Sequence, residues 1–153
     1  MSQHIASIEW NCRPSDDFKN NQYDRAHTWR FDGGFEMPAS PSPSIVPIPF
    51  SNPDYVDPEE AFIASLASCH MLFFLHFAAN KNIEVTHYSD TATGELGLSK
   101  DGKKCIKQVT LNPTIKLANH KDSTPELIEQ LHHQAHQACF LANSVNFEIV
   151  IKQ

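Results

Sequence analysis

The chain has 153 residues, of which 41% are hydrophobic and 20% charged, as in an ordinary folded protein. We expect one domain over residues 1–153 that buries roughly two-thirds of the surface exposed when unfolded. This excludes disorder, collagen-like repeats and disulfide-dependent mini-proteins. The 12 Lys and Arg against 18 Asp and Glu give a formal net charge of −6. Because no basic cluster occurs, we expect neither nucleic acid nor a membrane as a partner.

The beginning of the chain and its four cysteines bear on its compartment. Residues 1–10 contain no basic stretch followed by an apolar run, so we expect no secretion signal. Cysteines in a chain that is not exported indicate a reducing compartment, in which they pack or react rather than form structural disulfides. We therefore expect a cytoplasmic protein.

The first part of the chain predicts strands and an extended connection. Residues 5–12 and 25–31 have the pattern of two strands, and the polar residues 14–24 form a loop between them. Residues 37–53 hold six of the ten prolines, which argues against a helix or an interior strand. Their apolar side chains favour an ordered connection across the surface, with a flexible linker as the alternative.

A long helix is predicted from Asp57 to about Asn80. Asp57 is a suitable N-cap, Pro58 suits the first helical position, and Glu60 has the spacing of a capping box. Residues 61–79 carry no charge over nineteen positions, which is just enough to span a bilayer. Acidic residues precede this run and it contains Ser, His and Cys, so we expect a buried central helix surrounded by protein.

The second part predicts strands, a helix and a last strand. Strand-like stretches near residues 83–98 and 104–117 are joined by a hairpin turn at 100–103. A helix is predicted from Thr124 to about Ala142, and a strand over 147–152. The order is β-β-α-β-β-α-β, which indicates an α+β domain.

Cys69 and Cys139 lie on the two predicted helices, where each could be a packed core residue or half of a reactive pair. Cys69 is twelve residues beyond the N-cap, too far for the helix dipole to favour its thiolate. Reactivity therefore needs a cation from elsewhere, because no Lys or Arg occurs between residues 52 and 80. The candidates are Arg13, Arg25, Arg30 and His70, and a guanidinium suits a thiolate and a peroxide oxygen best.

The motif Asp57-Pro58-Glu59-Glu60, followed by Cys69 ten residues after Glu59, resembles the OsmC/Ohr family. Members of that family have an Asn-Pro-Glu opening and the same interval to a reactive cysteine. Cys139, late in the second helix and before a short strand, resembles their second cysteine. The element order and length fit this family across nearly the whole chain.

The resemblance implies an OsmC-like fold, an intertwined homodimer with active sites at its interface, and peroxidase activity toward organic hydroperoxides and hydrogen peroxide. It implies that Cys69 is the peroxidatic thiolate and that Cys139 resolves its sulfenic acid as a disulfide. A dithiol then reduces the disulfide; in Ohr-type members this is a lipoylated protein. No cofactor is implied.

By the same resemblance, Glu59 matches a glutamate that pairs with an arginine. Glu59 and Cys69 stand about 15 Å apart along a straight helix, so Glu59 is expected to hold the arginine, either within its own subunit or across subunits. Residues 31–58 contain no Arg, which favours Arg25 and then Arg30. Phe140 follows Cys139 where the family usually has Pro.

The histidines of the second helix admit a metal site. His132, His136 and Cys139 are spaced four and three residues apart and can share one helix face, and Cys69 and His70 could complete a zinc site. A polar, partly buried helix edge is the simpler interpretation, so no metal site is predicted. His70 and His76 are more simply satisfied by hydrogen bonds.

Other functions stay open at this point. One is a non-catalytic small-molecule-binding or interaction protein on the same fold, and another is the His/Cys zinc protein. Cys12 and Cys105 occur in strand-like contexts, and we expect both to be packing residues.

Overall fold

A computed structural model describes residues 2–119 and 124–152. The contacts within the chain divide it into two units, Met1–Ala61 and Phe62–Gln153, and each is described by itself below. The first unit contains three strands and the start of the long helix. The second unit contains the rest of that helix, five strands and a second helix within its described residues.

The first unit is built on an antiparallel sheet of three strands, β1 (Ala6–Glu9), β2 (His27–Phe31) and β3 (Glu36–Ala39), in that order. β1 and β2 fall within the two predicted strands. β3 extends into the proline-rich segment, where no interior strand is expected. Among the strands of the described residues it pairs with β2, and on its other side a single bridge joins Ala39 to Val56. Such an edge strand tolerates Pro38 because most of its outer side makes no ladder hydrogen bonds.

The proline-rich segment after β3 is ordered, as its apolar residues predict. The backbone N–H of Ser40 donates to the Val56 carbonyl at 3.0 Å, and the Ser40 hydroxyl accepts from the Asn52 N–H at 2.8 Å. The Ser51 hydroxyl donates to the Val46 carbonyl at 2.6 Å. Both serines are buried, so their polar groups fix the course of a segment that lacks regular secondary structure.

The long helix α1 (Pro58–Asn80) begins where the sequence predicts. Its capping box is complete, since the Asp57 carboxylate accepts from the Glu60 N–H at 2.7 Å and the Glu60 carboxylate accepts from the Asp57 N–H at 3.2 Å. By length and composition α1 could cross a membrane, a test that core helices of soluble proteins also pass.

Only one stripe of α1 is fully buried. It consists of residues four apart: Leu66, His70, Phe74 and Ala78. The opposite face is exposed and includes Phe62, Ser65, Ser68, Leu72 and His76. The helix is central to the packing of the second unit. In a single chain, however, the described residues do not surround it on every side as the sequence predicts.

The strands of the second unit form two sheets. β4 (Val85–Asp90) pairs antiparallel with β7 (Pro113–Leu117), while β5 (Thr93–Leu98), β6 (Lys104–Leu111) and β8 (Glu148–Ile151) form a sheet in that order. The predicted stretches 83–98 and 104–117 therefore each divide into two strands. The hairpin turn between β5 and β6 is confirmed, with Gly102 at φ 75°.

The second helix, α2 (Pro125–Ala138), has the predicted N-cap, because the Thr124 side chain accepts from the Leu127 N–H at 3.3 Å. It ends four residues before the predicted Ala142, and Cys139 is its C-cap. One core cluster joins the two helices through Phe74, Ala78, Ile83, Leu131 and Ala135. A second joins α1 to the sheet through Leu66, Val109 and Leu111. The α+β class is confirmed.

Candidate active site

The two helices of the second unit bring Cys69 and Cys139 together. Cys69 lies midway along α1, Cys139 caps the end of α2, and their Sγ atoms are 2.7 Å apart. Both cysteines are free thiols, and the Cys139 Sγ donates to the Cys69 Sγ. Because the sulfurs are already in contact, they are close enough for a disulfide to form between them.

The two thiols have different surroundings. Cys69 is half-buried and lines a cleft of about 520 Å³. Cys139 is only 1% exposed, and burial, followed by its hydrogen bond to Cys69, raises the pKa of its thiol to about 11. Cys69 is therefore accessible to a small molecule, whereas Cys139 is a buried thiol that is protonated at neutral pH.

The cleft beside Cys69 is largely apolar. Besides Cys69 its lining comprises Ser65, Ser68, Leu72, Phe73, His76 and Phe140. Phe140 is 73% exposed and packs edge-on against Phe73, with ring centroids 5.2 Å apart and planes at 87°. Phe140, which follows Cys139 in the sequence, thus forms an aromatic wall of the cleft beside Cys69.

A buried histidine pair lies on the other side of the thiols. His70 follows Cys69 in α1, and its Nε2 is 2.9 Å from Nδ1 of His132 on α2. Burial lowers the pKa of both imidazoles to about 4. The expectation that His70 is satisfied by a hydrogen bond is met. Within residues 2–119 and 124–152, no group of three or more His, Cys, Asp or Glu is arranged to hold a metal ion.

The comparisons with known proteins give the family. The family described as OsmC-like protein matches residues 51–153. The chain belongs to the OsmC-like family. An OsmC-like protein of unknown function from Vibrio cholerae is 47% identical, with 99% of each chain covered and a TM-score of 0.96. A search of curated proteins finds no significant match.

More distant OsmC-like structures share the fold. An organic hydroperoxide resistance protein from Elizabethkingia anophelis is 19% identical, with 99% of this chain and 94% of that chain covered and a TM-score of 0.71. The organic hydroperoxide resistance protein OhrB of Bacillus subtilis is 20% identical, with 99% and 98% covered and a TM-score of 0.64. The predicted OsmC/Ohr membership and fold are confirmed.

The arginines that the OsmC-like resemblance singles out lie in the first unit and differ in their partners. Arg30 pairs with Glu9 and with Glu36 in its own sheet. Arg25 donates to the carbonyls of Tyr23 at 2.9 Å and Asn21 at 3.4 Å, and its guanidinium lies 3.9 Å from the centroid of the Tyr23 ring. Among the described residues Arg25 has no carboxylate partner, so its charge is not neutralised by the chain itself.

Arg25 also lines a cleft within the first unit. This cleft of about 450 Å³ is otherwise lined by Ile8, Trp10, Phe18, Tyr23, His27 and Pro41. Glu59 is half-buried in the first turn of α1, and in the part of the chain that is described it forms no ion pair. The pairing of Glu59 with Arg25, and the roles of Cys69, Cys139, Arg25 and Glu59, stay predictions.

Some features of the site were absent from the sequence-based reasoning. Leu72, Phe73 and His76 follow Cys69 by three, four and seven residues, which is the spacing of one helix face, so periodicity alone could have identified them. The contact between Phe73 and Phe140 has no local signal because it joins α1 to a residue just after the end of α2. Cys12 is exposed beyond the end of β1 and is not a packing residue, which corrects the expectation; Cys105 is half-buried in β6.

Proposed function

We propose that the protein is a cysteine-based peroxidase that reduces organic hydroperoxides through a Cys69–Cys139 disulfide. The observation that carries the proposal is the contact of the two thiols at 2.7 Å, one open to a cleft and the other buried. An accessible thiol that touches a buried one has the arrangement needed for attack on an oxidant followed by closure to a disulfide. Family membership supports the same reaction class.

The proposed reaction has three steps. The Cys69 thiolate attacks one peroxide oxygen of ROOH, the O–O bond breaks, and the alkoxide takes a proton and leaves as an alcohol while Cys69 becomes a sulfenic acid. The Cys139 thiolate then attacks the Cys69 sulfur and releases hydroxide, which takes a proton to give water. A dithiol, in our proposal a lipoylated protein, reduces the disulfide and becomes a disulfide itself.

The lining of the cleft supports an organic rather than an inorganic peroxide. Leu72, Phe73 and Phe140 supply apolar surface next to the Cys69 sulfur, and hydrogen peroxide gains nothing from such surface. Ser65 and Ser68 supply hydroxyl groups on the same wall. We therefore expect hydrogen peroxide to react more slowly than an alkyl or aryl hydroperoxide.

Arg25 and Glu59 complete the proposed site. A thiolate at Cys69 needs a cation, and Arg25 supports that role because its guanidinium has no carboxylate partner in the described part of the chain. In this scheme Glu59 orients Arg25, within the chain or from a second subunit. Arg30 is the weaker candidate because two glutamates already neutralise it.

We also propose a homodimer of single-domain subunits that acts in the cytoplasm. The exposed apolar face of α1 supports the dimer, since Leu72 is 60% and Phe62 37% exposed in the single chain. The family match over residues 51–153 crosses the boundary between the two units, which supports one domain. A cycle that ends in reduction by a dithiol requires a reducing compartment.

The proposal is tested with fully reduced protein and one equivalent of cumene hydroperoxide, followed by peptide mass mapping. We expect a fast and specific Cys69–Cys139 link in the protein and no link in the Cys69→Ser variant, while a Cys12→Ser variant behaves as the unmodified protein. The Cys139→Ser variant should consume one equivalent and then stop or over-oxidise. Intact thiols after exposure to the peroxide would favour a non-catalytic binding protein.

A further inference from the structure

We propose that His136 is the base that removes the proton from Cys139 when Cys139 attacks the oxidised sulfur of Cys69. This inference rests on the proposed disulfide chemistry and assigns a residue to its second step. It is carried by three observations: the seclusion of the Cys139 thiol, a closely packed internal pocket that Cys139 shares with His136, and an unpartnered nitrogen on the His136 ring.

The Cys139 thiol needs a base. Only a thiolate attacks sulfur, and burial raises the pKa of the Cys139 thiol, so this thiol is protonated at neutral pH. Its Sγ contacts the Cys69 Sγ and accepts hydrogen bonds from the backbone of Leu141 and of Ala142, the latter at 3.4 Å, and a backbone N–H cannot take its proton. Cys69 can no longer accept this proton once its sulfur is oxidised.

A closely packed pocket, with no room for a water molecule, lies behind the thiols within the second unit. Its lining consists of Leu66, His70, Leu111, His136, Cys139, Ala142 and Ile149. Only the imidazoles of His70 and His136 can accept a proton from Cys139 in this otherwise apolar lining. One ring nitrogen of His70, Nε2, is engaged with His132 of α2.

His136 is the imidazole that lies on the same helix as Cys139. Its Nδ1 is buried and has no hydrogen-bond partner among the described residues. The Cys139 N–H donates to the Ala135 carbonyl at 2.9 Å, so helical geometry extends to Cys139 and places it one turn from His136 on the same side of α2. A buried nitrogen without a hydrogen-bond partner destabilises the fold, so its presence calls for a functional reason. Accepting the proton of the neighbouring Cys139 thiol is such a reason.

The charged and titratable groups near His136 are few. His70 lines the same pocket from α1, and a charge on His136 contributes to the lowered pKa of His70. His132 precedes it by one turn on α2, while β6 and β8 contribute the uncharged Leu111 and Ile149. Tyr88 of β4 packs against the core cluster that includes Leu131 and Ala135 of α2, and its ring contacts Phe74 of α1.

The step balances as a proton transfer coupled to a displacement. The S–H bond of Cys139 breaks and its proton goes to His136, while the sulfur forms a bond to the Cys69 sulfur. The S–O bond of the sulfenic acid breaks, and the hydroxide leaves through the cleft and is protonated by solvent. The imidazolium then loses its proton to solvent, so His136 is regenerated without any net redox change.

The test uses Ellman's reagent, so that it does not depend on peroxide chemistry. In a Cys12→Ser/Cys105→Ser background, the reagent converts Cys69 to a mixed disulfide and releases one thionitrobenzoate. Cys139 then displaces the second thionitrobenzoate, so one absorbance trace reports both steps. A further Cys139→Ser substitution should remove the second phase and identify it.

We expect His136→Gln to leave the first phase unchanged and to slow the second about 10²- to 10⁴-fold at pH 7. The rate of the slowed phase should rise about tenfold per pH unit and converge on the unmodified protein above pH 10, because hydroxide then replaces the base. A mere packing defect would not converge in this way. His133→Gln, an exposed site on the same helix, is the matched control and should alter neither phase.

The inference would be overturned if His136→Gln left the rate of the second phase unchanged. It would also be overturned if the variant slowed that phase by the same factor at every pH, without approaching the rate of the unmodified protein at high pH. His136→Asn gives a second, smaller amide if the Gln variant does not fold. If the protein releases thionitrobenzoate in two phases but does not react with hydroperoxides, only the peroxidase proposal is overturned. Absence of the second phase in the unmodified background would overturn both.

Discussion

The Nε2 of His70 and the Nδ1 of His132 are 2.9 Å apart, and their rings are nearly parallel, at 10°, so one neutral imidazole donates to the other in the core. This bond ties α1 to α2 next to the thiol pair. Because a single proton occupies the bond, one ring must present an N–H and the other a lone pair. The pair therefore stabilises the core only while at least one ring is neutral.

The first prediction is acid lability. In the unfolded chain these histidines titrate near 6.5, and in the folded chain the pKa of each is lowered to about 4, mainly by burial. Between these values the unfolded state binds more protons, so the free energy of unfolding should fall as the pH drops from 6.5 to 4, by a few kcal/mol in total on the order-of-magnitude scale of such shifts. Urea unfolding at several pH values measures this dependence.

The matched comparison for acid lability is His70→Leu/His132→Leu, which removes both titrating groups while the carboxylates remain. Its stability should depend less on pH in the same window. The exposed His133→Gln should keep the dependence of the unmodified protein. Parallel pH curves for the double variant and the unmodified protein would contradict the prediction.

The second prediction separates two arginines. Arg25→Met should lower kcat/KM for cumene hydroperoxide by about 10²- to 10³-fold, because it removes a positioned charge from the developing anion. Arg30→Met should have little effect, since Glu9 and Glu36 already neutralise Arg30. Stopped-flow oxidation of Cys69 compares the two. A larger loss in the Arg30 variant would reverse the assignment.

The third prediction concerns oligomeric state. Leu72→Asp places a charge on the exposed apolar face of α1 and should convert a dimer to a monomer, because burial of an unpaired carboxylate at an interface is costly. Light scattering after size-exclusion chromatography measures the mass. Leu98→Asp, at a leucine that is 63% exposed on β5, is the control and should remain dimeric. An unmodified protein that runs as a monomer would disprove the dimer.

The fourth prediction concerns substrate preference. Phe140→Ala removes the aromatic wall of the cleft and should raise KM for cumene hydroperoxide about tenfold, through the loss of apolar contact area. The reaction with hydrogen peroxide should not change, because that substrate makes no such contact. Phe35→Ala, which alters an exposed phenylalanine in the first unit, should change neither reaction. Equal losses for both peroxides would assign Phe140 to folding instead.

Local signals in the sequence predicted the helices well. The capping box at Asp57 and Glu60 fixed the start of α1, since cap preferences arise from hydrogen bonds within a few residues. The end of α2 was placed four residues too late because Ala142 continues the apolar spacing after the helix has stopped at Ala138. Helix ends without a Gly or Pro stop signal are poorly defined by pattern alone.

Pairing across the chain was harder to predict. β3 falls on prolines, and its strand conformation depends on β2, which a local pattern does not reveal. The apolar composition of α1 suggested burial on all sides, yet composition does not distinguish cover by the same chain from cover by another. Cys69 and Cys139 were paired through resemblance alone, since 70 residues separate them in sequence.

Cys69 and His70 are adjacent in α1 but face different surroundings, the cleft and the core. Successive helical residues are rotated by about 100°, so the number of residues between the capping box and Cys69 determines which side chain meets which environment. Inserting a single alanine between Glu60 and Cys69 would turn the thiol away from the cleft while leaving the composition nearly unchanged. The number of residues in the first half of α1 therefore determines the surroundings of the thiol, and the site depends on that length as much as on the cysteine itself.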